Sequence, residues 1–218
     1  MAIQIQGNSG TVAEVGGTTF RALIVSQKPL EYGALGIYRK SLTSGTMAAG
    51  LAAGSTVYSW RWGDATRLGV VMKITLDGLA GSATAFTAGF ATVRGFQARS
   101  FTASDSGGTA GTLTGNNSKL RTSMGTTLLT DVRIASTAAL TAGTRTLDTD
   151  PFCQLTFAIG TAASVIYSGV VPLFGEDVGP TMPWVCAQNE GCILQATVPA
   201  TGTWQFGVST LWGEVSSF

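Results

Sequence analysis

Histidine is missing from this 218-residue chain, and charge is scarce. Without histidine, Ser-His-Asp and Cys-His catalysis, His-based zinc sites and the ordinary imidazole general base are all excluded. Charged side chains make up 11% of the sequence, against roughly 25% in an average soluble protein. Thr, Ser, Ala and 29 glycines fill the space that charge would otherwise take. Such a surface does little to oppose association, which points to a protein that works inside an assembly.

Other absences narrow the function further. There is no G-x-x-x-x-G-K-[ST] phosphate loop and no G-x-G-x-x-G opening a helix after a strand. The three cysteines, Cys153, Cys186 and Cys192, are an odd set whose spacing does not match a zinc ribbon. Cys186 and Cys192 could close a small loop, but free, buried thiols in a reducing cytoplasm are the expectation. Met1–Gln6 has neither a basic n-region nor a continuous apolar run, so no secretory leader is expected. Residues 151–175 carry no charge, yet Gln154, Thr156, Thr161, Ser164, Ser168 and Pro172 make them too polar for a spanning helix. No membrane partner, metal or cofactor is therefore expected.

The net charge is +1, which gives no global case for nucleic acid. Its distribution is uneven: all 13 basic residues lie between Arg21 and Arg145, whereas residues 146–218 hold six acids and no base. Either the two parts fold together and cancel, or a basic face meets an acidic partner.

What is present is β-type patterning. In Val57–Trp62, Tyr58, Trp60 and Trp62 share one face of a strand, with Ser59 and Arg61 on the other. Leu68–Leu79, Asp131–Ile134, Phe152–Phe157 and Ser164–Leu173 also read as strands; Phe90–Phe101 is ambiguous between strand and helix. Cys192–Val198 and Thr203–Val208, joined across Pro199 and Gly202, read as a hairpin with Trp204 and Phe206 on its core face. Many short strands between Gly-rich turns predict an all-β sandwich or jelly roll. Residues 1–40 read as an extended arm, Ile3 and Ile5 alternating with Gln4 and Gln6, and Ser41–Ser55 as a Gly-rich linker. The expected organisation is arm and linker over 1–54 and a β domain over 55–218.

The remaining chemistry lies in carboxylates and aromatics. Asp148 with Asp150, or Glu176 with Asp177, could serve as the acid pair of a glycan hydrolase; the plainer reading is turn capping or pairing with upstream arginines. Calcium at Asp148 and Asp150 lacks a regular ligand spacing. Tyr58, Trp60 and Trp62, extended by Trp204 and Phe206, could form a sugar-stacking platform, but such alternation more often builds a core wall. Asn116-Asn117-Ser118 fits a glycosylation sequon and reads as a turn.

The runs Ala98-Arg99-Ser100-Phe101-Thr102-Ala103-Ser104-Asp105-Ser106-Gly107-Gly108-Thr109 and Gly125–Arg145, the phrase Ala187-Gln188-Asn189-Glu190-Gly191, and Ala196–Trp204 resemble virion proteins of tailed bacteriophages and prophage regions. The resemblance covers roughly residues 55–215. It implies a non-enzymatic virion structural protein made in the bacterial host's cytoplasm: a capsid decoration (cement) protein on the capsid exterior, or a head-fibre or tail component. The implied partners are the major capsid protein or other virion proteins and further copies of the chain, a trimer by analogy. Ile3, Ile5 and Phe20 are the expected anchors of the arm, with Arg39 and Lys40 as charged contacts.

Overall fold

The computed structural model describes residues 5–6, 12–13, 36–48, 51, 54–81, 87–159, 165–175 and 184–216, with side chains except at 5–6, 12–13, 80–81 and 165–168. These residues hold fifteen strands and no helix, so none is long and apolar enough to cross a membrane. The chain divides into two compact units, one of residues 1–31 together with 218, the other of residues 32–217.

In the first unit β1 (Ile5–Gln6) and β2 (Val12–Ala13) form an antiparallel ribbon, Ile5 opposite Ala13 and Gln6 opposite Val12. The second unit is a β-sandwich of two antiparallel sheets. Its strands are β3 (Gly36–Thr43), β4 (Met47–Ala48), β5 (Ser55–Trp62), β6 (Leu68–Gly81), β7 (Gly89–Arg99), β8 (Thr109–Ala110) and β9 (Asp131–Ile134). They continue with β10 (Thr146–Leu147), β11 (Cys153–Ile159), β12 (Val165–Phe174), β13 (Trp184–Cys186), β14 (Glu190–Thr197) and β15 (Thr203–Val215). The first sheet runs β10-β7-β14-β5-β9-β8, with β11 extending β10's edge along β7. The second runs β12-β6-β15-β3, with β13 on β6 and β4 on β15. At one lateral side β11 lies against β12; at the other β3 lies against β9.

The core is built from the alternating aromatics. Tyr58, Trp60 and Trp62 of β5 face Trp204, Phe206, Val208 and Trp212 of β15, and all are buried. Trp60 stacks on Trp62 at 6.1 Å and meets Trp212 of the opposite sheet edge-on at 6.2 Å. Tyr58 Oη and Thr210 Oγ1, both buried, share a 2.7 Å hydrogen bond between the sheets, so neither hydroxyl is left unsatisfied. Gly69 lets the indole of Trp62 approach; a Cβ there would stand 2.7 Å from its ring.

The expected strands are found, and Phe90–Phe101 resolves as strand β7. Two expectations need correction. The predicted hairpin does not form: β14 pairs with β5 and β7 in one sheet, and β15 with β3, β4 and β6 in the other. Pro199–Gly202 therefore crosses between sheets, each strand presenting its apolar side to the core from opposite faces. The arm and linker of 1–54 do not extend to 54 either. Gly36–Thr43 pairs residue for residue with Gly207–Glu214, Tyr38 stacks on Trp212 at 5.8 Å, and Met47 is fully buried. The sandwich thus includes β3 and β4, where the burial of Tyr38 and Met47 offsets the chain-entropy cost of the neighbouring glycines.

A second, smaller core sits on the outer face of the first sheet, where Ala98, Phe101 and Ile193 pack with Leu147. Two guanidinium groups lie close over the Phe101 ring, Arg61 at 5.9 Å and Arg145 at 5.4 Å. Arg145 is buried in an ion pair with Asp105 and donates to Thr56 Oγ1 at 2.9 Å. Arg61 donates to the carbonyls of Phe101 at 2.5 Å and Thr102 at 2.8 Å. These contacts rivet the long excursion after β7 onto the sheet.

Candidate functional site

Of the carboxylates expected to carry chemistry, Asp148 is held in an ion pair. Asp148 accepts two hydrogen bonds from Arg99, at 2.7 Å and 3.0 Å. That bidentate contact holds its carboxyl below the usual carboxylate range, the reverse of what a general acid needs. Arg99 also reaches Glu190 at 3.2 Å, so part of the basic segment cancels the acidic one within the chain. Asp150 is exposed, and Glu176 and Asp177 lie outside the described residues.

The tryptophan face is core wall: Trp60, Trp62 and Trp204 are sealed from solvent and cannot stack on a sugar. The three thiols are free; the Cys186–Cys192 loop is not closed. Burial pushes the Cys153 thiol up to about 11 and raises Cys186 and Cys192 as well, so none is a ready nucleophile. Among the described residues no group of three or more His, Cys, Asp or Glu is placed to hold a metal.

The feature that stands apart is the lateral side made by β11 and β12, within the uncharged run 151–175. Phe152 is 36% exposed and Val170 59%; Phe90 on neighbouring β7 is 69% exposed. Phe152 packs against Trp184 at 4.9 Å and Phe174 at 6.3 Å, over Gly95, where any side chain would strike its ring. Leu155 and Cys153 point to the core, whereas Gln154, Thr156 and Ala158 are exposed.

The sandwich's lateral edges differ in how they are guarded. Exposed strand edges invite pairing with other chains, and proteins blunt them with bulges, proline, charge, shortness or a covering loop. β12 has three register shifts and Pro172. β3 carries Arg39 and Lys40 and is covered by the backbone of Ser118 and Lys119, Arg39 N donating to Ser118 O at 2.8 Å. β8 is two residues long. β11 pairs with β7 over seven consecutive residues without a register shift. It also lacks proline and charge. Among the described residues, Cys153–Thr156 pair on the β7 side only.

The residues expected to contact a partner are placed as follows. Ile5 is on β1; Ile3 and Phe20 lie outside the described residues. Arg39 and Lys40 belong to the sandwich rather than to an arm, Arg39 exposed and Lys40 donating to Thr112 O at 2.9 Å. The β11 edge was missed as a site, although its lack of charge was visible in the sequence. No protein-family model, curated protein or solved structure matches the chain.

Proposed function

We propose that this chain is a non-enzymatic structural protein of a tailed-phage particle, binding the assembled capsid as a decoration (cement) protein. The observation that carries the reading is the uncharged edge Cys153–Thr156, which among the described residues pairs on the β7 side only, beside exposed Phe152 and Val170. An edge of that kind recruits an added strand, whose main-chain hydrogen bonds give affinity while neighbouring apolar side chains supply buried area. The phage setting rests on the resemblance of Ala98–Thr109 and Gly125–Arg145 to virion proteins. A protein that binds the closed shell and not its precursors lowers the free energy of that shell by mass action. The partners would be the major capsid protein and further copies of the chain on the capsid exterior. Ile3, Ile5 and Phe20 would anchor, and exposed Arg39 with Lys40 would offer charge.

The test is the protein's position in a reconstructed particle. Many copies over the shell are expected; a few at one vertex would select the second reading, a tail or head fibre touching the host. The half-buried Phe152–Phe174–Trp184 cluster favours that second reading if a glycan shields it. Hydrolysis of a host glycan that disappears in Asp148→Asn would overturn the non-enzymatic assignment.

A further inference from the structure

We infer that residues 112–128 are a pH-gated strap over the edge of β3, latched by the buried carboxyl group of Glu214 and released as that group ionises. The gate belongs to the sandwich alone and needs no partner.

The strap leaves the first sheet after Gly111, whose N–H donates to Val132 O, and returns at Leu129, which is buried in the core. Between these points it contains no strand, and it meets β3 through one isolated bridge, Tyr38 opposite Lys119. Arg39 N donates to Ser118 O at 2.8 Å, Tyr38 Oη to Gly125 O at 3.2 Å and Lys40 Nζ to Thr112 O at 2.9 Å. The returning end is tied to β15 through Glu214. Its Oε1 accepts from both Thr127 Oγ1 and Leu128 N, and Thr127 Oγ1 accepts in turn from Trp212 Nε1 at 3.2 Å.

Charge decides when the latch lets go. Glu214 is sealed from solvent, and an ionised carboxylate buried without a cation costs far more than a buried neutral acid. Among the described residues, the ionisable groups that feel its charge are Tyr38 of β3 and Asp64 of the turn after β5, neither of them a cation. β6 places Gly69 opposite Glu214, and Lys40 of β3 is spent on Thr112. The strap's own bases, Lys119 and Arg121, do not offset the burial, which holds the Glu214 proton above the ordinary 4.5. To ionise, Glu214 must reach water. β3, β6 and β15 are held by long ladders, so the strap is the cover that yields at least cost. A proton bound more tightly in the closed state favours closure fully below pH 4.5, and that preference declines as pH rises through the raised closed-state value. Within that window the open population grows by up to about tenfold per pH unit. Opening frees Arg39 N and bares the β3 edge.

Native-state hydrogen exchange of the full-length chain from about pH 5 to about pH 8, read as protection factors corrected for intrinsic base catalysis, tests the gate. The amides of Arg39 and Leu128 report on the strap; those of β5 and β14, strands paired on both sides, report on global unfolding. Arg39 and Leu128 should lose protection as pH rises, by up to about tenfold per unit. They should stay less protected than β5 and β14 and respond little to low denaturant, because a local opening exposes little surface. Glu214→Gln keeps an oxygen for Thr127 and Leu128 but has no proton to lose, so its strap protection should be flat with pH. Strap amides that match β14 in protection and denaturant dependence would show that only global unfolding occurs, and the gate falls. Wild-type strap protection that does not change with pH, or a pH dependence that persists in Glu214→Gln, would overturn it equally. The comparisons within the wild type decide the matter even where the variant folds poorly.

Discussion

Glu214 is a carboxylate almost sealed from water, 1% exposed at the end of β15. It accepts hydrogen bonds from Thr127 Oγ1 at 2.6 Å and Leu128 N at 2.8 Å, and burial still raises its pKa above the ordinary 4.5. A group that binds its proton more tightly folded than unfolded stabilises the fold when protonated. Its contribution is complete below pH 4.5 and declines as pH rises through the raised folded value. The melting temperature of the wild type should therefore fall relative to Glu214→Gln between pH 4 and 7, measured by parallel thermal melts. Asp105 makes the opposite case, a buried acid whose partner is a buried base. Asp105→Ala strands the Arg145 guanidinium beneath Phe101, and denaturant unfolding should register a loss of about 3–5 kcal/mol. Thiol titration offers a third check: Cys186 and Cys192 should be silent toward a disulfide reagent in native protein and react on unfolding.

Strand by strand, the sequence disclosed which residues face the core and concealed which sheet they belong to. Tyr58, Trp60 and Trp62 announce themselves by alternation, and so do Trp204 and Phe206. Alternation is the same for two strands of one hairpin and for two strands facing each other across a sandwich, which is why β14 and β15 were legible as strands and not as a crossover. β3 and β4 were hidden for another reason. Gly36, Gly45 and Gly50 break the pattern around them, and what holds Tyr38 and Met47 in place is β15, more than 150 residues away in sequence. The candidate site was half visible. The uncharged stretch could be read, but an edge is defined by what fails to pair with it, and no local pattern encodes that. The Arg99–Asp148 pair, which removes Asp148 from consideration as an acid, likewise joins residues distant in sequence.

Across the whole chain, the corrected boundary makes a deletion series informative. Removing residues 1–35 should leave cooperative unfolding intact while abolishing shell binding. Removing residues 1–54 takes β3, β4 and buried Tyr38 and Met47 with it, and should abolish the cooperative transition seen by circular dichroism. The register shifts and Pro172 of β12 matter at this scale too. They interrupt the row of main-chain donors and acceptors along that strand, so a continuous, proline-free β12 would turn the sandwich's flank into a template for disordered growth. Pro172→Val should accordingly raise light scattering as the protein is concentrated.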